Sequence, residues 1–309
     1  MTKIEWADDS WNPVKARRRV VGPTGENVKY GHACVRVSPG CTRCYAATMN
    51  RRLGTGLDYT VPAMEQVEMY LDEKVLLEPL RWRKPRRVFV CSMTDLFGEW
   101  VPDEWLDRIF AVMALTPAHT FQVLTKRAVR MEAYGSPGQV RDVRVVDAAA
   151  AMGYALPLPH MFHWPLPNVW AGVSIEDQPA ANNRIPHLLR TVAAVRWVSA
   201  EPLLGPVDFT RVRCPADDWA ETCNALSGTW QNIAGDDWPT KDGARIDWLV
   251  TGGESGPGAR TLDLAWARSL RDQCAVAGIP LFVKQDSGPR PGMQGRIEDD
   301  LWRVKEFPR

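Results

Sequence analysis

The sequence predicts an α/β protein built on a parallel sheet. Two observations carry the prediction. Short apolar runs recur along the chain, among them Val88-Phe89-Val90-Cys91, Phe121-Gln122-Val123-Leu124, Val169-Trp170-Ala171-Gly172-Val173, Val195-Arg196-Trp197-Val198-Ser199, Trp248-Leu249-Val250 and Leu281-Phe282-Val283. Continuous runs of this kind suit strands buried on both faces of a parallel sheet. Stretches with helical spacing separate most of them, and such alternation implies right-handed crossovers. Six strands, with a seventh expected near Ile4-Glu5-Trp6, suit a partial or complete parallel β/α barrel better than a short open sheet. A third observation concerns function. Asp95, Lys126, Glu176, Glu201, Glu254 and Lys284 follow the C-terminal ends of these runs, and in a barrel those ends form the face that carries the site.

Composition sets the bounds. The chain has 309 residues, 45% of them hydrophobic and 24% charged, as in ordinary soluble proteins. That length fits one barrel domain over 1–309 with insertions near 14–31, 132–167 and 208–244. A net charge of +1 gives no global pull toward nucleic acid or membrane. No apolar run has membrane-spanning length, so no membrane partner is expected. The first residues, Met-Thr-Lys-Ile-Glu-Trp-Ala-Asp-Asp, lack the apolar core of a signal peptide. A cytoplasmic protein with reduced thiols is the expectation. The fourteen tryptophans are expected mostly in packing.

The elements follow in order. Arg17-Arg18-Arg19 and Gly22-Pro23-Thr24-Gly25 mark an exposed hairpin or insertion. A helix is expected over 46–54 and another over 67–80, where Val67, Tyr70, Leu71, Val75, Leu76 and Leu80 are roughly helix-spaced. The basic stretch Arg81-Trp82-Arg83-Lys84-Pro85-Arg86-Arg87 precedes the strand at 88–91, which puts it at the strand's N-terminal end, away from the expected site. Pro102-Asp103-Glu104 opens a helix. A second begins near Val129, a third spans 145–152, and a fourth after Glu176 is expected to break at Pro186. The helix 264–277 closes on Gly278. The segment 208–244, with Cys214 and Cys223, reads as irregular, and its two cysteines as unpaired thiols.

The stretch with the most chemistry is Cys34-Val35-Arg36-Val37-Ser38-Pro39-Gly40-Cys41-Thr42-Arg43-Cys44, three of the seven cysteines within eleven residues. Ser-Pro-Gly reads as a tight turn that brings Cys34 back beside Cys41 and Cys44. Three thiolates at one point suit a soft metal. Zinc would need a fourth ligand, for which His32 is the nearest candidate. A 4Fe–4S cluster on three cysteines would leave one iron open. Spacing alone leaves both readings standing.

Several motifs share one order along the chain: Trp11-Asn12-Pro13, Ser38-Pro39-Gly40-Cys41-Thr42-Arg43-Cys44-Tyr45-Ala46, Ser92-Met93-Thr94-Asp95-Leu96-Phe97, Phe121-Gln122-Val123-Leu124-Thr125-Lys126-Arg127, Ser199-Ala200-Glu201-Pro202-Leu203-Leu204-Gly205-Pro206 and Gly252-Gly253-Glu254-Ser255-Gly256. From about residue 4 to 290 the chain resembles a phage- and prophage-associated family of largely uncharacterised proteins, itself similar to radical S-adenosylmethionine enzymes. The resemblance implies a partial barrel of the radical S-adenosylmethionine type, with a 4Fe–4S cluster on Cys34, Cys41 and Cys44 in the first strand-to-helix loop. It departs from the common radical-enzyme spacing, having six residues in the first cysteine gap instead of three, and the connection over 16–31 is longer than usual.

On that resemblance the open iron takes S-adenosylmethionine, and a 5′-deoxyadenosyl radical modifies a small-molecule or nucleotide substrate, a nucleobase included. Tyr45 and Asp95 would bind the cofactor beside the cluster. Ser174, Glu176 and Glu201 would meet ribose hydroxyls, and Lys126 and Lys284 a carboxylate or phosphate. Gly252 and Gly253 would let backbone approach the adenosyl group, with Glu254 beside them, although a tight strand-to-helix turn explains both glycines equally well. An electron donor such as flavodoxin or ferredoxin is implied as a partner. The contrasting reading is a zinc- or cluster-stabilised nucleic-acid-binding protein without catalysis, supported by the local basic stretches.

Overall fold

The structure, a computed structural model, describes residues 4–23, 25–136, 139–157, 164–214, 221–231, 237–239 and 243–308. The insertions expected near 132–167 and 208–244 therefore lie in part outside the described residues, as does Thr24 of the expected hairpin turn.

Seven strands make the main sheet: β1 (Asp9–Trp11), β2 (Arg87–Val90), β3 (Thr120–Thr125), β4 (Val169–Ile175), β5 (Val195–Ala200), β6 (Trp248–Thr251) and β7 (Leu281–Val283). Their order in the sheet is their order in the chain. The pairs β1–β2, β2–β3, β4–β5, β5–β6 and β6–β7 are all parallel. A sheet that never reverses its strand order is wound in one direction, as in a partial β/α barrel, and lacks the switch point of a doubly wound sheet. The expected α/β class and parallel sheet are thus present. The seventh strand lies at Asp9–Trp11 and not near Trp6. Ser10 and Trp11 register with Phe89 and Val90, whereas Trp6 is buried against Trp197 and Trp248.

Six helices matter most here: α1 (Tyr45–Leu53), α2 (Asp103–Leu115), α3 (Ala128–Gly135), α4 (Gln139–Ala151), α5 (Gln178–Arg190) and, after β6, α6 (Leu264–Ala277). Helix α5 runs through Pro186 without breaking. Proline removes one backbone donor there, and seven buried side chains, among them Ile185, Leu188 and Leu189, keep the helix on its neighbours. The helix expected over 67–80 is instead a strand, Glu68–Leu71, followed by one turn, Glu73–Leu76, capped by Asp72. Pairing with Val14–Arg17 decides it.

The chain divides into two compact units. Residues 7–124 and 137–169 form one. Its core includes Trp11, Phe121, Leu76, Leu96, Phe97, Leu106 and Met113, all buried. The Trp11 indole N–H donates to the Val75 carbonyl at 2.8 Å. Between β1 and α1 a hairpin, Val14–Gly22 with Gly25–Gly31, forms a small antiparallel sheet with Glu68–Leu71. Two of the five cations in the basic stretch before β2 are paired with acids of the β1 segment. Arg86 pairs with Asp9 at 2.6 Å and lies over Trp82, and Arg87 pairs with Asp8. Arg83 and Lys84 remain exposed.

Residues 1–6, 125–136 and 170–309 form the other unit. An aromatic cluster fills it: Trp197 and Trp248 lie 5.3 Å apart, Trp6 stands edge-on to both, and Phe307 stacks on Trp248. The segment after β5 is more regular than expected. Its short strands, Val212–Arg213, Thr222–Asn224, Thr229–Gln231 and Asp237–Pro239, form an antiparallel sheet. Cys214 and Cys223 form no disulfide.

Gly172 in β4 lies under the Trp197 ring, and a methyl group there would run into the indole. Gly172→Ala is expected to destabilise the protein by about 1–3 kcal/mol through overpacking. A urea unfolding curve measures this; an unchanged midpoint would mean the indole yields freely.

Candidate functional site

The cysteine loop is built by its own turn chemistry. Pro39–Cys41 is a single 3-10 turn, in which the Cys41 N–H donates to the Ser38 carbonyl at 2.9 Å and that of Thr42 to Pro39 at 3.2 Å. Cys44 is the N-cap residue of α1, and its carbonyl accepts from the Thr48 N–H. Cys34, Cys41 and Cys44 form no disulfide, and each is half-buried. Cys34 and Cys44 pack on the same small cluster, Ala46, Ala47 and Tyr59. Burial pushes the Tyr59 phenol far up, and nearby Cys44 and Cys34 push it further. Cys41 Sγ lies 3.7 Å from Ser38 Oγ.

Three hydrogen bonds fasten this loop and α1 to the turn after β2. The Thr94 hydroxyl donates to the Ala33 carbonyl, the Tyr45 hydroxyl to the Ser92 carbonyl and the Tyr59 hydroxyl to the Met93 carbonyl, each at 2.6 Å. Asn12, just past β1, accepts the Met93 N–H at 3.0 Å and bonds the Ser92 hydroxyl. The turn begins at Cys91, the one non-glycine among the described residues with positive φ, 54°. Such a backbone costs about 1–2 kcal/mol outside glycine. Asp95 is buried in the same turn and accepts the Phe97 N–H at 3.0 Å.

His32 is anchored elsewhere. Its ring Nδ1 meets the Val14 carbonyl at 3.1 Å and its backbone N–H donates to Asn50. Burial, with Lys15 adding, lowers its pKa to about 4, so it is neutral at pH 7. Among the described residues no group of three or more His, Cys, Asp and Glu side chains is arranged to hold a metal ion. The expected convergence of Cys34, Cys41 and Cys44 on one point is therefore not seen, and the fit of the loop to a metal is one of donor chemistry: three thiols within eleven residues, two of them on a common floor. That set suits a thiolate-bound cluster or zinc.

In the other unit the polar residues at strand ends are already engaged. Glu176, past the end of β4, is fully buried. Its Oε2 meets Lys126 Nζ at 2.9 Å and Arg184 Nη1 at 3.0 Å. Arg184 also donates to the Ser174 carbonyl at 2.7 Å, and the Ser174 hydroxyl donates to the Glu201 carbonyl at 3.3 Å. The Glu201 carboxylate lies 3.3 Å from Lys284 Nζ, and the Ser199 hydroxyl donates to it at 3.4 Å. Glu254 is clamped by Arg260, through the guanidinium at 2.5 and 3.0 Å and through the backbone N–H at 2.9 Å. This bonding raises the Arg260 pKa, and Glu176 adds to it. A side chain at Gly252 would meet Glu201 Oε1 at 2.8 Å, and one at Gly253 would strike Ser287. Both glycines are thus required by close approach of the protein to itself.

Of the expected site residues, Cys34, Cys41, Cys44, Tyr45 and Asp95 fall in the first unit, and Lys126, Ser174, Glu176, Glu201, Gly252, Gly253, Glu254 and Lys284 in the other. The sequence reading did not single out Tyr59, Arg184 or Arg260. Each acid past a strand end needs a cation, and that demand was the available signal for the two arginines. Nothing local marks Tyr59, which reaches Met93 across 34 positions.

The fold and the loop define an α/β protein with a parallel sheet wound in strand order and a three-cysteine loop after its first strand. The chain matches the family described as Protein of unknown function (DUF5131) over residues 1–295, and it belongs to that family. Neither the curated proteins nor the solved structures contain a match to it. No helix among the described residues is long and apolar enough to cross a membrane.

The His32 environment makes stability pH-dependent. Its folded pKa lies below the ordinary histidine value, so the unfolded chain binds the extra proton first. Stability is full above about pH 6.5 and falls by about 3 kcal/mol as pH drops to about 4. Unfolding curves across that window should show the loss, and His32→Gln should flatten it.

Proposed function

We propose that Cys34, Cys41 and Cys44 hold a 4Fe–4S cluster with one iron open to S-adenosylmethionine, and that the protein is a radical S-adenosylmethionine-type enzyme acting on a small-molecule or nucleotide substrate. The observation that supports it most is the position of the cysteines. They lie between β1 and α1, in the first strand-to-helix connection, and the loop is hydrogen-bonded to the turn at the C-terminal end of β2. The long connection over 16–31 is taken up by a hairpin, which leaves the cysteine loop itself short.

When bound, the cluster with S-adenosylmethionine supplies one-electron cleavage of the sulfonium. The chain's own residues have other tasks. The three thiols bind as thiolates and release their protons on binding. Tyr59 gives Cys34 and Cys44 an apolar floor, and Tyr45 and Thr94 fix the loop against the turn that carries Asp95. Ser174, Glu176 and Glu201 offer oxygen acceptors for hydroxyls, and Lys126 and Lys284 positive charge for a carboxylate or phosphate. Glu254, already clamped by Arg260, shapes the glycine turn. A flavodoxin- or ferredoxin-type protein delivers the electron, in the cytoplasm, where thiols stay reduced.

Anaerobic reconstitution with iron and sulfide tests the reading. The expected product is brown, absorbs at about 400 nm as thiolate-held clusters do, and when reduced converts S-adenosylmethionine to 5′-deoxyadenosine. Alanine at Cys34, Cys41 or Cys44 should abolish iron retention, and His32→Ala should preserve it. Colourless protein holding zinc would support the non-catalytic reading. An intact cluster whose spectrum ignores S-adenosylmethionine, with no 5′-deoxyadenosine formed, would leave a structural cluster.

A further inference from the structure

The hairpin that precedes the cysteine loop has no part in the site described above. Its strands pair from Ala16 with Gly31 out to Gly22 with Gly25. The third strand covers only Val14 to Arg17. Beyond Arg17 the hairpin is a two-stranded ribbon; Val21 on it is 83% exposed, and Tyr30, directly across from Arg17, is 60% exposed. A ribbon of this kind has little stability of its own.

Its charge is one-sided. Five cations, Lys15, Arg17, Arg18, Arg19 and Lys29, stand against one acid, Glu26. On one face the cations have acids: Lys15 meets Asp72, Arg17 meets Glu68 and Arg19 reaches Glu26 at 3.7 Å. On the opposite face Arg18 and Lys29 lie directly across from each other. Like charges in that position oppose strand pairing. Arg18 donates to the neutral Gln66 amide at 3.3 Å, and Lys29 Nζ lies beside Gly56. Gly31, on this face, packs against the end of α1 at Asn50 and Gly54, and that helix carries exposed Arg52 in its last turn. The chain therefore holds a repelling cation pair on a projecting ribbon and neutralises the other side of the same ribbon.

We propose that this ribbon docks duplex DNA, with Arg18 and Lys29 taking neighbouring phosphates. A two-stranded ribbon fits the major groove, about 12 Å wide. Phosphates supply the countercharge that the Arg18–Lys29 face lacks, and contacts of this kind position a protein without reading sequence. A lipid surface would call for a broad apolar face, whereas the exposed apolar residues of the ribbon, Val21 and Tyr30, share the face of Arg17 and Arg19, with Arg19 between them, and leave the Arg18–Lys29 face polar. The inference stands without the metal.

The test is fluorescence anisotropy of a labelled random-sequence duplex with the full-length protein across a salt series. The wild type should bind with log K falling linearly as log salt rises. The double reversal Arg18→Glu, Lys29→Glu should weaken binding more than about tenfold and lower the salt slope by about two. The reversal Arg83→Glu, Lys84→Glu, at the exposed basic stretch before β2, should change affinity less than about twofold, within the usual reach of a surface charge that makes no contact. Thermal melts establish folding; if the reversals melt early, Arg18→Gln, Lys29→Gln gives the same reading. Unchanged affinity in the ribbon variant would overturn the proposal. So would absent wild-type binding, or equal binding to single-stranded RNA or to phosphatidylserine vesicles.

Discussion

Three short hydrogen bonds, from Thr94 to Ala33, from Tyr45 to Ser92 and from Tyr59 to Met93, hold the cysteine loop and α1 on the turn after β2. Without them the loop would hang from a hairpin and a short helix, each weak alone. The turn pays for its role in backbone strain at Cys91, offset by Asn12, which binds Ser92 and Met93 from the end of β1. Two strand ends, one loop and one helix are thereby fixed to a common point. The floor that Cys34 and Cys44 share at Tyr59 is fixed from that point.

A second constraint governs the other unit. Carboxylates buried past strand ends must be compensated, because an uncompensated buried charge costs several kcal/mol. Glu176 has Lys126 and Arg184, Glu201 has Lys284, and Glu254 has Arg260. These pairings also set where glycine is needed. The Glu201 carboxylate lies over Gly252, and Ser287 lies over Gly253.

Much of this was legible in the sequence, for identifiable reasons. Parallel strands buried on both faces produce continuous apolar runs, so β2 to β7 stand out. The 3-10 turn at Pro39–Cys41 was legible because Ser-Pro-Gly is local chemistry, whereas the expected convergence of all three thiols is not seen among the described residues. The strand at Glu68–Leu71 was not, because its apolar residues satisfy helical spacing as well, and pairing with Val14–Arg17, some fifty positions away, decides between them. Proline at 186 suggested a break, but burial of the surrounding helix outweighs one missing donor. The clasp on the cysteine loop spans 34, 47 and 61 positions in its three bonds. No local pattern encodes such contacts. The pairing partners Arg184 and Arg260 were likewise hidden, since charge balance names a need and not the residue that meets it.

The account holds that the protein itself orders the cysteine loop before any metal arrives. Amide hydrogen exchange on metal-free protein tests this most directly. Residues 33–45 should be protected in the wild type, and the pair Thr94→Val, Tyr59→Phe should lose that protection while the amides of β2 and β3 keep theirs. Rapid exchange across 33–45 in the metal-free wild type, or full protection in the variant, would contradict the account.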